Sequence, residues 1–456
     1  MTDAEITVIG AGPSGMVAAT TLSKVGYHVE IIEQRETLGG AIYRQPVESA
    51  MAGGPAAGSN ARWKTIRNAF VKQAIPVRCG TVFLGIDGDG LVLIEDRRKG
   101  RVERLRRKGV VVAVGAVEKV YPRTGWHLPG VSTAGGLQVM MKETGRAPEG
   151  RVLLAGNGPL LIAVAAQMAR LGNPPAALVE AGDPFGHMAT GVALLKHPAL
   201  LQEALLYLMD VYRSRIPWLR GAHVTSIEKE GPALLVRIER KGLEKRMSVD
   251  RIGLHDGIRC NDFGLPPETL SSKDAPVVVR AGDCREALGA IAAEADGARA
   301  AQRLANILSG SAEASGLDAA INRTRQAQDL LARLFAPIGN VSPLAICSDE
   351  TILCRCEAKT VGDLRSLCQH LHPMTGREVK LNGRFAMGAC QGRFCADNTA
   401  SLMALMNADS ADLPPRAEDL TGRRWPVRPV SIAALTAAAN PNTEKPNNEV
   451  EQDDAS

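Results

Sequence analysis

The chain has no uninterrupted apolar run long enough to cross a bilayer. Its longest, Val152–Leu171, is broken by Asn157, Pro159, Gln167 and Arg170 and reads as a buried strand and helix instead. A strong charge of either sign is also missing, since the net charge is only +5 over 456 residues. Basic residues are scattered, and the one local run, Arg97–Gly109, is interrupted by Val102 and Leu105. That run is expected to form two exposed edge strands around a turn, which argues against a nucleic-acid surface. Nine cysteines at this length do not make a secreted disulfide framework. Their gathering toward the C-terminal end fits a reducing cytoplasm, and no signal peptide is expected before the first strand near Glu5. Cys79, Cys260 and Cys284 stand alone. A disulfide reductase needs two thiols close together beside its flavin, so that reaction is disfavoured.

What is present points to redox chemistry. A chain of this length needs two or three domains. Ile6–Ile9 is a short β-branched run ending in Gly10-Ala11-Gly12-Pro13-Ser14-Gly15. An alanine-rich helical segment, Met16–Val25, follows, and then a strand, His28–Ile32, closing on Glu33. Strand, glycine turn, helix, strand and acid make a dinucleotide site in which each part has a mechanical role. Gly10 permits the turn, Gly12 lets backbone approach a pyrophosphate, and Gly15 allows helix to pack on strand. The first helical turn, Pro13 and Ser14 included, offers bare N–H groups and the positive end of a dipole. Glu33 is placed to hold the adenosine ribose.

Two further elements favour FAD over NAD. Gly39 and Gly40, shortly after Glu33, provide a second close backbone approach. Far downstream, the strand Val277–Val279 leads into Ala281-Gly282-Asp283 and then a long helix. Asp283 is expected to hold the ribityl chain, with the helix dipole directed at the flavin ring.

A second unit repeats the first. Arg151–Ala155 is a strand, followed by Gly156-Asn157-Gly158-Pro159-Leu160-Leu161, a helix and a strand closing on Glu180. Leu161 replaces the third glycine and is expected to push the helix away from the strand, while the approach at Gly158 stays open. The unit holds an adenine nucleotide or keeps the fold without one; Glu180 suits a free 2′-hydroxyl, which disfavours NADP. His255 and Asp256 form a candidate acid/base pair, with a plain connecting turn as the alternative.

Near the C-terminus, Cys354-Arg-Cys356 and Cys390-Gln-Gly-Arg-Phe-Cys395 supply two close thiol pairs. Short spans of this kind let thiolates converge from single loops on an iron–sulfur cluster. Structural zinc is the alternative, although C-x-C is tighter than the C-x2-C of zinc ribbons. Thr360 and Asp363 spell the capping box of a helix reaching about Leu371, and Ala396–Met406 is a further helix. Pro414–Pro429 is expected to be extended and irregular, and the chain beyond Ala437 unstructured.

In combination these motifs resemble the larger, flavin-binding (alpha) subunit of heteromeric opine, D-hydroxyproline and proline dehydrogenases, and one subunit of hydrogen cyanide synthase. The residues that carry the resemblance are VIGAGPSGM, LGG with IYRQP, GWHLPGVSTAGG, LLAGNGPLLIAVAAQ, LHDGIRCN, AGDC, and CRCE with GACQGRFC. The implied fold is α/β. Two Rossmann-like domains of the glutathione-reductase type are joined to a small α-rich module like bacterioferritin-associated ferredoxin. The FAD domain would comprise residues 1–115 and 275–311, with the second nucleotide domain inserted at 116–274. A helical linker at 312–345, a [2Fe–2S] module at 346–425 and a largely unstructured tail at 426–456 complete the expectation.

The resemblance also implies specific ligands and partners. FAD would sit on the first domain, a [2Fe–2S] cluster on Cys354, Cys356, Cys390 and Cys395, and ATP or NAD at the second site. A smaller amine-oxidase-like flavoprotein (beta) subunit would oxidise the small-molecule substrate, and a small ferredoxin-like subunit could join it. The expected location is cytoplasmic, with the inner membrane face as an alternative. Between Asn261 and Val277 the chain is shorter than the resemblance would have it, at the loop expected to lie over the flavin.

Overall fold

Ile6–Ile9, Val29–Ile32, Val77–Arg78, Gly109–Val112 and Val277–Arg280 form one five-stranded sheet in the computed structural model of the chain. The structure describes residues 4–46, 61–269, 275–311, 318–339, 343–369, 374–406, 414–422 and 426–439. All pairings in this sheet are parallel. Its strands are runs of valine and isoleucine because both faces are covered. The helices Pro13–Lys24 and Ala290–Ser309 pack on one face and on each other. They approach closely because Gly297 has no side chain; a Cβ there would stand 2.3 Å from the Ser14 carbonyl oxygen. Ile6–Ile9 has its successor on one side and the returning strand Gly109–Val112 on the other. The connections therefore diverge above its carboxyl end, where parallel sheets open a ligand crevice.

The first helix begins at Pro13, three residues before the expected Met16. Proline at the first helical position costs no hydrogen bond and presets φ, so the glycine turn leads directly into the helix. The basic run also differs from expectation. It supplies one edge strand, Arg101–Leu105, and not two; across the turn this strand pairs with the buried middle strand Val92–Asp96, which precedes the run and has Thr81–Ile86 on its other side. Only Arg101–Leu105 is partly exposed, and the run ends in Gly109–Val112 at the heart of the parallel sheet.

Antiparallel pairing of Ala116–Glu118 with Ile258–Cys260 marks where the chain leaves this unit and returns to it. Between them a second parallel sheet runs in the order Trp218–Arg220, Ala177–Glu180, Val152–Gly156, Arg251–His255 and Val131–Thr133. The fold class is thus the expected one, an α/β chain with two Rossmann-like units.

Asp318–Leu334 is a single helix that braces the two units. At one end Arg325 pairs with Glu286 at 2.6 Å and the Gln328 amide donates to the Leu288 carbonyl at 3.1 Å. At the other, Leu331, Leu334 and Phe335 join the core of the second unit.

A small helical module follows, built on Val361–Cys368, Gly376–Gly383 and Ala396–Met406. The Thr360–Asp363 capping box is present, whereas the expected extension toward Leu371 lies outside the described residues. Two expectations about the tail are corrected. Ala417–Thr421 is helical and buries Leu420 in the module core. Beyond residue 426 the chain stays ordered: the Val427 N–H donates to the Leu84 carbonyl at 2.8 Å, and Ile432–Ala439 is a helix that buries Ala434 on the first unit's antiparallel sheet. Val427, Val430 and Ala434 give this segment the apolar side that docks it. The tail from residue 440 lies outside the described residues.

Candidate cofactor sites

The first glycine loop is shaped by missing side chains. Gly10 has φ +104°, and a Cβ there would stand 2.5 Å from the Ala113 carbonyl oxygen. A Cβ on Gly15 would meet the Gly10 carbonyl oxygen at 1.9 Å. Gly12 is different, because a Cβ on it would meet only the Gly40 Cα, at 3.9 Å. From the other side the approach is tight, since a Cβ on Gly40 would stand 3.0 Å from the Gly12 Cα; the two backbones pack together, and the open space lies beside Gly12. Gly39 and Gly40 both have positive φ, and the Gly39 N–H donates to the Ala11 carbonyl at 2.9 Å, tying the second glycine pair to the first loop. Gly12 caps the helix with no side-chain hydrogen bond, which leaves the first-turn N–H groups facing the opening. The buried Ser14 hydroxyl has no partner among the described residues. Open space beside Gly12, unpaired first-turn amides and an orphaned hydroxyl fit a pyrophosphate.

The acids expected to meet this cofactor are already anchored to backbone. Glu33 is buried; its Oε2 accepts from the Ala11 N–H at 2.7 Å and its Oε1 from the Arg35 N–H at 3.0 Å. Burial pushes its carboxyl above the ordinary range, against these bonds. Asp283 Oδ1 accepts from the N–H groups of Leu288 at 3.1 Å and Gly289 at 3.0 Å, and burial raises this carboxyl too. Both carboxylates keep lone pairs for a ligand hydroxyl while shaping the loops that carry it. Gly282 is fixed separately, its N–H donating to the buried Asp296 carboxylate at 2.7 Å. Burial opposes the Asp296 charge, but Arg285 and Arg299 outweigh it and hold the carboxyl below its usual range.

The second glycine loop is more crowded at one end and open at the other. A Cβ on Gly156 would meet the His255 carbonyl oxygen at 1.7 Å, whereas one on Gly158 would find only the His255 ring, at 3.9 Å. Leu161 is buried in the core of this unit, so the residue that breaks the glycine pattern packs inward. The Gly158 N–H donates to Glu180 Oε1 at 3.0 Å. Glu180 is 1% exposed, and burial pushes its carboxyl up to about 8. Its Oε2 and the Asn157 Oδ1 are buried without partners among the described residues. These two acceptors fit the hydroxyls of a ribose. His255 and Asp256 are not a pair: His255 Nδ1 contacts Glu118 Oε1 at 2.8 Å, and Asp256 binds Arg123 at 2.7 Å. Neighbours in an extended chain point to opposite sides, and Glu118 and Arg123 carried no signal in the linear sequence.

All four expected cysteine ligands come together in the C-terminal module. Cys395 donates a hydrogen bond to Cys354, which lowers Cys354 to about 6, while that same contact, together with burial, pushes Cys395 up. Cys356 and Cys390 form the second sulfur contact. The N–H groups of Glu357, Ala386 and Cys356 are directed at the Cys354 sulfur. Among the described residues, no group of three or more His, Cys, Asp or Glu side chains is arranged to hold a metal ion. The sulfurs instead stand as two pairs, Cys354 with Cys395 and Cys356 with Cys390. The loop bearing the second motif holds Arg384, Ala386 and Gln391 at positive φ, between +56° and +62°. Non-glycine residues in this region cost about 1 kcal/mol or more each, a cost that directs the Ala386 N–H toward sulfur.

The module docks where the two Rossmann units meet. Trp126 Nε1 donates to the Ile352 carbonyl at 2.6 Å, and Arg355 lies over the Trp126 ring. Arg259, on the connecting strand Ile258–Cys260, reaches Asp397 at 3.0 Å and the Arg393 carbonyl at 3.2 Å. Arg393 in turn donates to the Cys390 carbonyl at 3.0 Å. At the end of the same strand, the Cys260 sulfur lies against the Ala287 N–H, in the turn that Asp283 anchors. One short strand thus separates the thiol-bearing loop from the Asp283 turn. Of the other lone cysteines, Cys284 donates to the Val112 carbonyl at 3.0 Å and Cys347 to the Pro122 carbonyl at 3.1 Å.

Residues 8–63 match the NAD(P)-binding Rossmann-like domain family. Over 94% of its length the chain is 29% identical to an opine oxidase subunit of Agrobacterium tumefaciens, covering 91% of that protein. It is 29% identical to the HcnB subunit of hydrogen cyanide synthase of Pseudomonas aeruginosa, over 85% of this chain and 90% of that one. The chain is a homologue of these subunits. Among solved structures, L-proline dehydrogenase from P. horikoshii shares the fold, with a TM-score of 0.61 at 18% identity over 95% of this chain and 79% of that one. The expected resemblance therefore holds along nearly the whole sequence. Among the described residues, no helix is long and apolar enough to cross a membrane.

Proposed function

We propose that the chain is the FAD- and [2Fe–2S]-carrying subunit of a heteromeric oxidoreductase that oxidises the C–N bond of an amino- or imino-acid derivative. The substrate class is of the opine, D-hydroxyproline or proline type. The observation that carries this reading is the route from the Asp283 turn through Ile258–Cys260 and Arg259 to the loop of Cys390 and Cys395. FAD accepts electrons in pairs and releases them singly, and an iron–sulfur cluster carries one at a time.

The chain's own residues have distinct tasks in this reading. Gly10, Gly12, Pro13, Ser14 and Gly15 receive the pyrophosphate, with Gly39 and Gly40 closing the far side and Glu33 at the ribose. Gly282 and Asp283 hold the ribityl end, and the helix Ala290–Ser309 presents its N-terminus to the ring. Cys354, Cys356, Cys390 and Cys395 hold iron as two pairs, with backbone N–H groups stabilising sulfur charge. Gly156, Gly158 and Glu180 take a ribonucleotide, ATP or NAD, at the second site. No residue of this chain is assigned to the C–N chemistry itself, which falls to a smaller amine-oxidase-like flavoprotein partner.

The test is co-purification from the native source, followed by screening opines, proline and D-hydroxyproline with a dye acceptor. Turnover by the complex, and none by this chain alone, supports the proposal. Turnover by the isolated chain with NADH and no partner would replace it with a stand-alone reductase.

A further inference from the structure

A buried cation beside the flavin loop is left without a full partner. Arg44 follows the Gly39–Gly40 pair and is 2% exposed, among the largest fully buried side chains of the protein. Its Nη2 has no hydrogen-bond partner among the described residues. Its Nε faces Glu143 at 3.2 Å, an ion-pair distance whose geometry makes no hydrogen bond, and Glu143 is 39% exposed. Arginine stays charged at every accessible pH. Holding it out of water with one half-solvated partner is expensive unless something negative completes the site.

The surroundings indicate where that charge belongs. The neighbouring Tyr43 hydroxyl donates to Glu294, on the second turn of the helix Ala290–Ser309 that presents its N-terminus to the crevice. On the other side, Lys142 Nζ donates to the carbonyls of Ala41 at 3.2 Å and Ile42 at 3.1 Å. The segment 41–44 is thus clamped between the crevice helix of the first unit and the helix Ala134–Thr144 of the second. Gly40, which packs against the Gly12 backbone of the first glycine loop, lies just before it. Of the charged groups nearby, Glu143 alone pairs with Arg44 and is half-exposed, while Glu294 is taken by Tyr43 and Arg62 and Lys142 by the Ala41 and Ile42 carbonyls.

We infer that the Arg44 guanidinium is completed by a negative charge of the bound dinucleotide, either its pyrophosphate or the reduced flavin ring. This rests on the FAD reading above. The two sources share one chemistry, a delocalised oxyanion facing a planar cation, and they separate experimentally.

The experiment compares wild type, Arg44→Met, Arg44→Lys and Glu143→Gln in the full chain. FAD affinity is measured by fluorescence titration of apoprotein, the flavin midpoint potential by dye equilibration, and apoprotein melting by calorimetry. If Arg44 meets the pyrophosphate, Arg44→Met weakens FAD binding at least tenfold. If it meets the reduced ring, the midpoint falls by about 30 mV, a tenfold change for a two-electron couple. In either case Arg44→Lys recovers part of the effect, and apo Arg44→Met melts at or above the wild-type temperature, because an uncompensated charge has gone. The inference is overturned if affinity and midpoint both stay unchanged, or if the apoprotein melts lower in step with any loss of affinity. Failure of wild type to bind FAD at all would instead overturn the underlying reading.

Discussion

Glu180→Gln should stabilise the protein and weaken its second nucleotide site at the same time. Burial raises the Glu180 carboxyl from 4.5 to about 8. The folded state therefore binds a proton that the unfolded chain releases across this window, so stability falls as pH rises. The contribution is intact below pH 4.5 and declines until the pH passes about 8. At 1.36 kcal/mol per unit, the wild type carries a penalty of about 1 kcal/mol at pH 5 and about 3 kcal/mol at pH 7. Glutamine has nothing to ionise and can still accept the Gly158 N–H. The variant's advantage in urea unfolding should grow by about 2 kcal/mol between pH 5 and pH 7. Titration with ATP and NAD above pH 8, where the wild-type carboxyl is ionised, should meanwhile show weaker binding by the variant, because a ribose acceptor has been lost. Parallel pH–stability curves for the two proteins would overturn this, since Glu180 would then ionise alike in both states.

The glycine loops give a paired test. Gly12→Ala should leave apoprotein melting nearly unchanged yet sharply reduce FAD binding, because its Cβ would meet only the Gly40 Cα, at 3.9 Å, and would fill the open space beside the first helical turn. Gly15→Ala should lose both, with a stability cost of about 2 kcal/mol or more, since its Cβ would overlap the Gly10 carbonyl; calorimetry and flavin fluorescence read both outcomes. Cys395→Ser should remove visible absorbance outside the flavin bands, whereas Cys368→Ser, in a helix away from the sulfur pairs, should keep it. Trp126→Ala should cost about 3–5 kcal/mol, chiefly by leaving a cavity in the core, and also by unpairing the Ile352 carbonyl and removing the Arg355 stack. That loss should separate the module's unfolding from that of the rest in a calorimetric trace.

Much of this arrangement was legible because its signals are local. The strand Ile6–Ile9, the glycine turns, the Thr360 capping box and the helix Ala396–Met406 are written in short stretches of chain. The anchoring of Glu33 on Ala11 and of Asp283 on Leu288 and Gly289 was not, because a motif names a residue without saying what its carboxylate touches in the protein. Glu118 and Arg123 could not be matched to His255 and Asp256, since those contacts join positions more than a hundred residues apart. The polar stretch beyond residue 440 drew attention away from the apolar segment 427–439, in which Val427, Val430 and Ala434 dock on the first unit. Arg44 lay within a recognised motif, but only burial reveals that its charge lacks a full partner.

Whether one chain carries both an iron–sulfur cluster and a flavin is decided by anaerobic purification followed by metal, sulfide and flavin analysis. Iron and acid-labile sulfide in equal amounts, accompanied by one extractable FAD for each chain, are the expected result. Zinc in place of iron, or a colourless protein that yields no flavin on denaturation, would contradict it.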